Sequence, residues 1–405
     1  MVVERLSGMK YALIVVDGLS DRPTEQLDSR TPLAAAVKPL IQTLAVKSEI
    51  GITKLSDSMT EPHPVKSNMV LLGYLPPEEY RSCVSLEALA SGIVPGQKDV
   101  LFRCSPVNLS PAEEYSSRVM LRNHLADLSE DEIHSLTVLL NQEIGNEWFQ
   151  FVCNDQQVFM IWKQGEPEPG VLLPPEKASG NPIGAFLPKG DFTPVLVHIM
   201  EQSERILRSH PLNVARQQGG KAPISSIWLW GEGTIPVIPS FKETFGLDAI
   251  MVTDDRATAG LGLTAQMEVK LTDNIAKAAV QAIRGKKPLV YIHTAAIGKI
   301  SLAGDIEAKT AAIEALDREL VVPVTSALSE TGEPFRLIIV SSIAAPCGLK
   351  TVMAEPVPYL LYRSDHEIQQ ERQQFDETGA FSAGRYIPYG DSLIRRMLLN
   401  ENEEY

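Results

Sequence analysis

The sequence predicts an α/β fold in which helices cover a largely parallel sheet, and three observations support this. The run Tyr11–Val16 is continuously apolar and rich in β-branched residues at its end, which is typical of a buried strand. From residue 227 onward, short strand-like runs alternate with segments of helical spacing, as in folds with a parallel sheet. The chain has 405 residues, which is enough for a large core and two domains.

Caps and apolar periodicity define the elements in chain order. Thr31 and Pro32 suit the N-cap and first position of a helix, and residues 51–55 predict a second strand. Ser129 and Glu132 form a capping box before a segment with apolar residues at helical spacing. Further strands are predicted at 227–230, 249–253, 289–293, 335–342 and 358–362, and further helices at 193–209, 274–284, 306–320 and 391–399.

Composition shifts divide the chain into two predicted domains. Stretches rich in proline and glycine lie at 92–96 and 165–180, and the segment between them reads as an αβ unit of its own. We therefore predict a core domain at 1–97 and 186–405, with a smaller inserted domain at 98–185.

Net charge, apolar runs and cysteine spacing limit the partners and the location that we expect for this chain. The formal net charge of −14 disfavours nucleic acid and anionic membrane surfaces, which require a basic patch. No apolar run reaches transmembrane length, and residues 1–9 lack the apolar core of a signal peptide. The four cysteines form no CxxC pair, so we expect free thiols and a cytoplasmic location.

Three polar residues stand at positions suited to chemistry. Asp17 ends the first strand, where α/β sheets place ligand-binding groups, although an Asp-Gly pair also forms simple turns. Ser67 ends a polar loop before an apolar segment, where a serine is either a nucleophile or a helix cap. His293 ends a later strand and is the histidine that we single out for a functional role.

An ordered set of motifs across nearly the whole chain resembles the archaeal-type 2,3-bisphosphoglycerate-independent phosphoglycerate mutases of the alkaline phosphatase superfamily. The resemblance is carried by Val15–Pro23, Asn68–Tyr74, Leu86–Leu89, Asp99–Cys104, His210–Arg216, Ile227–Gly233, Gly260–Gly262, Met267–Val269, Gly304–Lys309, Pro346–Lys350 and Glu355–Pro358. It implies an alkaline-phosphatase-like core with an inserted cap domain.

The resemblance also implies a mechanism and its residues. Family members bind two divalent metals, usually manganese or zinc, and transfer a phosphoryl group through a serine. Paired cations of this kind clamp the attacking and leaving oxygens. On this chain Asp17 occupies a metal-ligand position and Ser67 the nucleophile position. We take Asn68, Arg216 and His293 as candidate substrate-binding residues.

Most other family ligand positions are substituted in this chain. The family's Asp-Glu-Ala-Gly-His stretch falls on Gly298–Leu302, so both of its ligands are lost. Its Asp-His pair falls on Ser342 and Ile343, and a further histidine falls on Val352. Asn68 replaces an aspartate, Cys83 an arginine, and Pro174–Lys177 a Pro-Pro-His-Asp motif. Asp17 with one serine falls far short of a transition-metal site.

Two functions remain open, and we favour the first on chemical grounds. The chain is either a degenerate, pseudoenzyme-like homologue with no metal cofactor, or an active mutase that interconverts 3- and 2-phosphoglycerate with manganese or zinc. The degenerate form would bind a small phosphorylated ligand or a protein partner. A metal-free reaction that uses Ser67 with His293 is a third alternative.

Overall fold

The first strand organises the larger sheet, as its apolar sequence predicts. The computed structural model describes residues 8–56, 62–77, 80–125, 127–154, 157–370 and 372–398. Within them, β1 covers Lys10–Ser20 and is buried along its whole length. The predicted polar loop at 56–68 lies partly outside the described residues, and residues 1–7 of the N-terminal segment lie wholly outside them.

The remaining strands follow in chain order. They are β2 Glu49–Thr53, β3 Val100–Leu109, β4 Met120–Arg122, β5 Phe149–Cys153, β6 Val158–Trp162, β7 Ser226–Gly233, β8 Ala249–Thr253, β9 Glu268–Leu271, β10 Leu289–Thr294, β11 Phe335–Ala344, β12 Val357–Arg363 and β13 Tyr386–Ile387.

The α-helices of the described residues are numbered in the same way. They are α1 Pro32–Ala35, α2 Pro39–Ala45, α3 Pro64–Leu71, α4 Val84–Ala90, α5 Glu130–Glu143, α6 Pro194–Leu207, α7 Pro211–Gln218, α8 Phe241–Phe245, α9 Arg256–Thr264, α10 Ile275–Ile283, α11 Ala296–Ala303, α12 Ile306–Leu316, α13 Val322–Glu330, α14 Glu377–Ser382 and α15 Asp391–Leu398. A π-helical turn, Asp317–Val321, joins α12 to α13.

The larger sheet confirms the predicted mostly parallel α/β architecture. Its strand order in the described residues is β13-β2-β12-β11-β1-β10-β8-β9. Only the two pairings of β12, with β11 and with β2, are antiparallel. The four adjacent strands β11, β1, β10 and β8 all run parallel, so their carboxyl ends meet at one edge of the sheet. Ligand-binding groups of open α/β folds gather at this edge.

The smaller sheet forms a second compact unit. Strands β4, β3, β6 and β5 lie side by side in this order, and β7 also pairs with β3. All of these pairings are antiparallel. Helix α5 packs against β5 and α6 against β7. The predicted capping box at the start of α5 is present, with Ser129 and Glu132 each accepting the other's backbone N–H.

Contacts divide the chain at different residues from the predicted boundaries. One unit comprises 1–77 and 237–405, and the other comprises 78–236. The second unit extends beyond the predicted insertion at 98–185 because β7 pairs with β3 over Ser226–Gly233, and α6 packs on β7. Among the described residues, no helix is long and apolar enough to cross a membrane.

Candidate functional site

Four polar residues form a row across the carboxyl ends of the four parallel strands. Thr253 is the last residue of β8 and His293 the penultimate residue of β10, while Asp17 lies in β1 and Ser342 in β11. The register pairs His293 with Thr253, and Val15, two residues before Asp17, with His293. Because residues two apart in a strand face the same side, the side chains line up along one face. We call these four residues the polar row.

Hydrogen bonds connect the whole polar row. His293 Nε2 lies 3.0 Å from Asp17 Oδ1, and His293 Nδ1 lies 2.8 Å from Thr253 Oγ1. The Ser342 hydroxyl donates to the same Asp17 oxygen. Both nitrogens of His293 are therefore engaged, and the ring is fully buried. In its charged form, His293 donates one N–H to Asp17 and the other to Thr253.

The row favours a charged pair at its centre. Burial by itself would raise the pKa of Asp17, but the charge of His293 and the hydrogen bonds from His293 and Ser342 outweigh it and lower that pKa. For His293, burial opposes the charge, while Asp17 and the more distant Asp254 and Asp255 raise the pKa. The imidazolium thus supplies the positive charge that faces Asp17.

Helix α3 begins beside this row with His63 as its N-cap. The Nδ1 atom of His63 accepts the Val65 N–H, and the His63 charge also lowers the pKa of Asp17. The alternative in which Ser67 caps the helix is wrong, because Ser67 is its fourth residue. Pro64 at the first position moves the helix start three residues upstream of Ser67.

Ser67 is buried at 1% exposure, and its hydroxyl oxygen has no hydrogen-bond partner among the residues that the structure describes. The neighbouring Asn68 is fully engaged in the fold instead. Its amide donates to the Pro64 carbonyl at 2.9 Å, and its carbonyl oxygen accepts the Tyr291 hydroxyl at 2.6 Å. Among the described residues, no general base hydrogen-bonds to Ser67, so none of them provides the activation that a serine nucleophile needs.

The residues present do not fit a two-metal centre. Among the residues that the structure describes, no group of three or more His, Cys, Asp and Glu side chains is placed to hold a metal ion. The one carboxylate at a family ligand position, Asp17, already binds His293 and Ser342. A transition metal needs three or four protein ligands, so the donor set is too small.

The backbone has also closed over one substituted ligand position. A Cβ built on Gly298 of α11 would lie 3.0 Å from Asp17 Cβ, and one on Gly18 would lie 2.8 Å from Gly298 Cα. Cβ atoms in proteins essentially never lie closer than 3.0 Å to a non-bonded neighbour, so neither position has room for a side chain without a local shift. Since Gly18 also has a φ of +70°, α11 packs on the end of β1 through two glycines. A carboxylate side chain at residue 298 would require this helix to move.

The side chains of Ile343, Val352 and Leu302 differ in their exposure to solvent. Ile343 is buried at 2% exposure, and Val352 is partly buried. Leu302 is 46% exposed, since it lies on the outer face of α11. The side chain is therefore part of the apolar core at Ile343 but not at Leu302.

Retained motif residues outside the polar row make structural contacts. The ammonium of Lys309 is fully buried and lies 2.7 Å from Asp21 Oδ2, which also accepts the Cys347 N–H. In the second unit, Arg216 donates to Glu132, Asp127 and the Ala222 carbonyl. A substrate-binding role for Arg216, as for Asn68 and His293, stays a prediction.

Sequence reasoning identified Asp17, His293 and Asn68 but missed Thr253, which contacts His293, and Tyr291, which contacts Asn68. Thr253 also ends a predicted strand, and that position was an available signal for it. Tyr291 gave no such signal, because its hydroxyl reaches Asn68 across 223 positions of sequence.

Comparisons with known proteins identify the family. A family model described as 2,3-bisphosphoglycerate-independent phosphoglycerate mutase matches residues 45–213. A Geobacter sulfurreducens protein named as a probable mutase of this kind is 31% identical over 96% of this chain and 100% of its own length. The Methanothrix thermoacetophila mutase is 30% identical over the same shares of both chains.

Solved structures have the same fold. A Pyrococcus horikoshii protein aligns with a TM-score of 0.78 at 21% identity, covering 98% of this chain and 99% of that one. The cofactor-independent phosphoglycerate mutase of Thermoplasma acidophilum aligns with a TM-score of 0.63 at 22% identity, covering 96% and 99%. These likenesses show that the chain has the fold of these two proteins, in agreement with the predicted α/β core. Together with the sequence relatives, they lead to one conclusion: the chain belongs to the 2,3-bisphosphoglycerate-independent phosphoglycerate mutase family.

Proposed function

We propose that this chain is a degenerate member of its family that binds a ligand or partner and does not catalyse metal-dependent phosphoryl transfer. The observation that carries the proposal is the pairing of Asp17 with His293 and Ser342 at the position of a family metal ligand. An imidazolium there replaces a cation as the counter-charge of the carboxylate. Bringing a divalent ion to this site would break the pair and leave the ion short of ligands.

The state of Ser67 supports the same proposal. A serine nucleophile needs a neighbouring base or a cation to activate it, and among the described residues no side chain hydrogen-bonds to the buried Ser67 hydroxyl. The metal-free reaction with Ser67 and His293 is disfavoured as well, because His293 uses both ring nitrogens within the polar row.

The alternative function is an active, metal-dependent phosphoglycerate mutase that interconverts 3- and 2-phosphoglycerate in glycolysis through a phosphoserine. Family membership and the retained serine at residue 67 favour it. In that case Asp17 would be released from His293 to serve as a metal ligand, and manganese or zinc would provide the chemistry. A cytoplasmic location, which rests on the four free thiols, is part of both proposals.

A thermal melt beside an activity assay separates the two functions. The purified protein is melted with and without manganese or zinc at up to millimolar concentration, and a coupled assay follows conversion of 3- to 2-phosphoglycerate. A ligand specific for the folded state adds roughly 2.7 kcal/mol of stability at a hundredfold excess over its dissociation constant. We expect neither a metal-dependent rise in melting temperature nor turnover. A rise of several degrees together with turnover would establish the active mutase instead.

A further inference from the structure

The larger unit contains a polar cavity at a distance from the polar row. The cavity has a volume of about 740 Å³ and lies between the start of β2, the loop that includes Arg30 and Thr31, and the segment 368–385. Small-molecule sites commonly have volumes of this order, roughly 300–1,000 Å³. None of the residues that line it belongs to the polar row or to α3. We call it the arginine cavity.

The charge of the arginine cavity is opposite in sign to that of the protein. Arg30, Arg372 and Arg385 line it, against two acidic residues, Glu49 and Asp376. Among the residues that the structure describes, Arg30 and Arg372 make no ion pair, and the Arg30 Nε donates to the Leu27 carbonyl. In a chain of net charge −14, this concentration of guanidinium groups favours an anionic ligand.

The acidic residues at the cavity are held by other groups of the fold. The Glu49 carboxylate accepts two hydrogen bonds from Arg396, each of 2.7 Å, one from the Tyr359 hydroxyl and one of 3.3 Å from Arg385, so Arg385 is already paired. Asp376 accepts the Gly379 N–H at 2.7 Å as the cap of α14. Asp376 keeps its charge, but in the part of the chain that the structure describes neither Arg30 nor Arg372 pairs with it or with Glu49, so both guanidinium groups are available to a ligand.

One wall of the cavity includes Ile368, Gln370 and Gln373, and hydrogen bonds hold these three residues in place. Hydrogen bonds from Ile368 N to Lys47 O, Gln370 N to Val46 O, and Gln42 Nε2 to Gln373 O tie this wall to the end of α2. The wall therefore does not need to be ordered by a ligand.

The neutral lining groups suit a hydroxylated carbon chain. Gln370, Gln373 and Gln374 carry amides that both donate and accept hydrogen bonds, and Thr378 and Ser382 add hydroxyls. Ser48 also lines the cavity, and within the described part of the chain its buried hydroxyl oxygen has no hydrogen-bond partner. Amides and hydroxyls of this kind pair with the hydroxyl groups of a small polyol or hydroxy acid.

We propose that the arginine cavity binds a phosphorylated small molecule, a phosphate monoester of a hydroxylated carbon chain. The planar fork of each guanidinium matches two phosphate oxygens, and charge-assisted bonds of this type are about twice as strong as neutral ones. The inference rests on the proposed binding role of the protein. It does not rest on the loss of catalysis, because the arginine cavity is separate from the polar row.

Isothermal titration calorimetry in metal-free buffer with chelator tests the proposal, using 3-phosphoglycerate as the probe. Glycerate and inorganic phosphate are titrated in parallel, because they carry the carbon chain and the phosphate separately. We expect saturable binding of 3-phosphoglycerate that is stronger than that of either fragment. The affinity should fall by about tenfold in Arg30→Gln and again in Arg372→Gln. Arg318→Gln is the matched control, since Arg318 is exposed and pairs only with its neighbour Glu319.

Three results would overturn the proposal: no binding of 3-phosphoglycerate, binding that both arginine variants retain in full, or binding of glycerate as strong as that of 3-phosphoglycerate. Circular dichroism melts establish whether the variants are folded. We expect both to fold, because Arg30 and Arg372 are exposed. The proposed function fails on a different measurement. Turnover of 3-phosphoglycerate in the presence of manganese would refute degeneracy, whereas the dependence of affinity on Arg30 and Arg372 is measured without metal.

Discussion

The pairing of Asp17 with His293 predicts that Asp17→Asn destabilises the protein. The substitution keeps the shape of the side chain but removes the charge that balances the buried His293. Breaking a buried ion pair by removing one partner costs about 3–5 kcal/mol. Because an asparagine oxygen can still accept a hydrogen bond from Ser342, we expect the lower end, about 3 kcal/mol. For a unit of roughly 250 residues, that corresponds to a fall in melting temperature of about 6–12 °C.

The assay uses the distribution of tryptophans between the two units. Trp148, Trp162, Trp228 and Trp230 are all of the tryptophans, and all lie in the unit that spans 78–236. Tryptophan fluorescence therefore reports unfolding of that unit alone, while far-ultraviolet circular dichroism reports both. We expect the Asp17→Asn shift in the dichroism transition of the unit that contains β1.

Two comparisons make the Asp17→Asn result specific. The control Asp248→Asn removes an exposed carboxylate paired with Lys242 at 3.0 Å, and exposed pairs contribute only about 0–1 kcal/mol. In a His293→Gln background, Asp17→Asn should cost much less, because the charge that it leaves unpaired is already gone.

An unchanged or raised melting temperature in Asp17→Asn would refute the reasoning. That result is expected of a metal-ligand carboxylate in metal-free protein, since such a group has no counter-charge to lose. The measurement therefore also distinguishes the two functions proposed for the chain.

Three further predictions follow from single contacts. Ser67→Ala removes a buried hydroxyl that has no partner among the described residues, so we expect the stability to be unchanged or raised by up to about 1 kcal/mol. A clear fall in melting temperature would contradict this expectation. Gly298→Ala places a Cβ 3.0 Å from Asp17 Cβ and should destabilise the protein by about 1–3 kcal/mol, measured as a fall in melting temperature. Gly348→Ala is the control, because its added Cβ meets no atom within 4 Å. Burial alone would raise the pKa of Glu49, but the hydrogen bond and charge of Arg396 outweigh it, and the pKa is lowered. A carboxylate with a lowered folded-state pKa adds stability above its unfolded pKa, near 4.3, and loses it as the pH falls through the folded value. Melts from pH 7 to pH 3 should therefore show a smaller acid-dependent loss in Glu49→Gln than in the unaltered protein, and equal losses would contradict this contribution.

The sequence by itself determined the elements whose signals are local. Continuous apolar composition predicted β1, and the spacing of Ser129 and Glu132 predicted the start of α5, because a buried strand and a capping box depend on residues close in sequence. The prediction that Gly298 and Ile343 occupy family ligand positions likewise came from the sequence, through the family resemblance.

Only the tertiary structure decided what the remaining polar residues do. Asp17 and His293 are 276 positions apart, and they meet because the sheet places β10 directly beside β1 in a particular register. The same packing brings Gly298 against Asp17, whereas Leu302 on the same helix is left at the surface. Strand order and register arise from the packing of the whole chain, so no local pattern contains them. For this reason the sequence could name the residues at the strand ends, while their pairing into one hydrogen-bonded row required the fold.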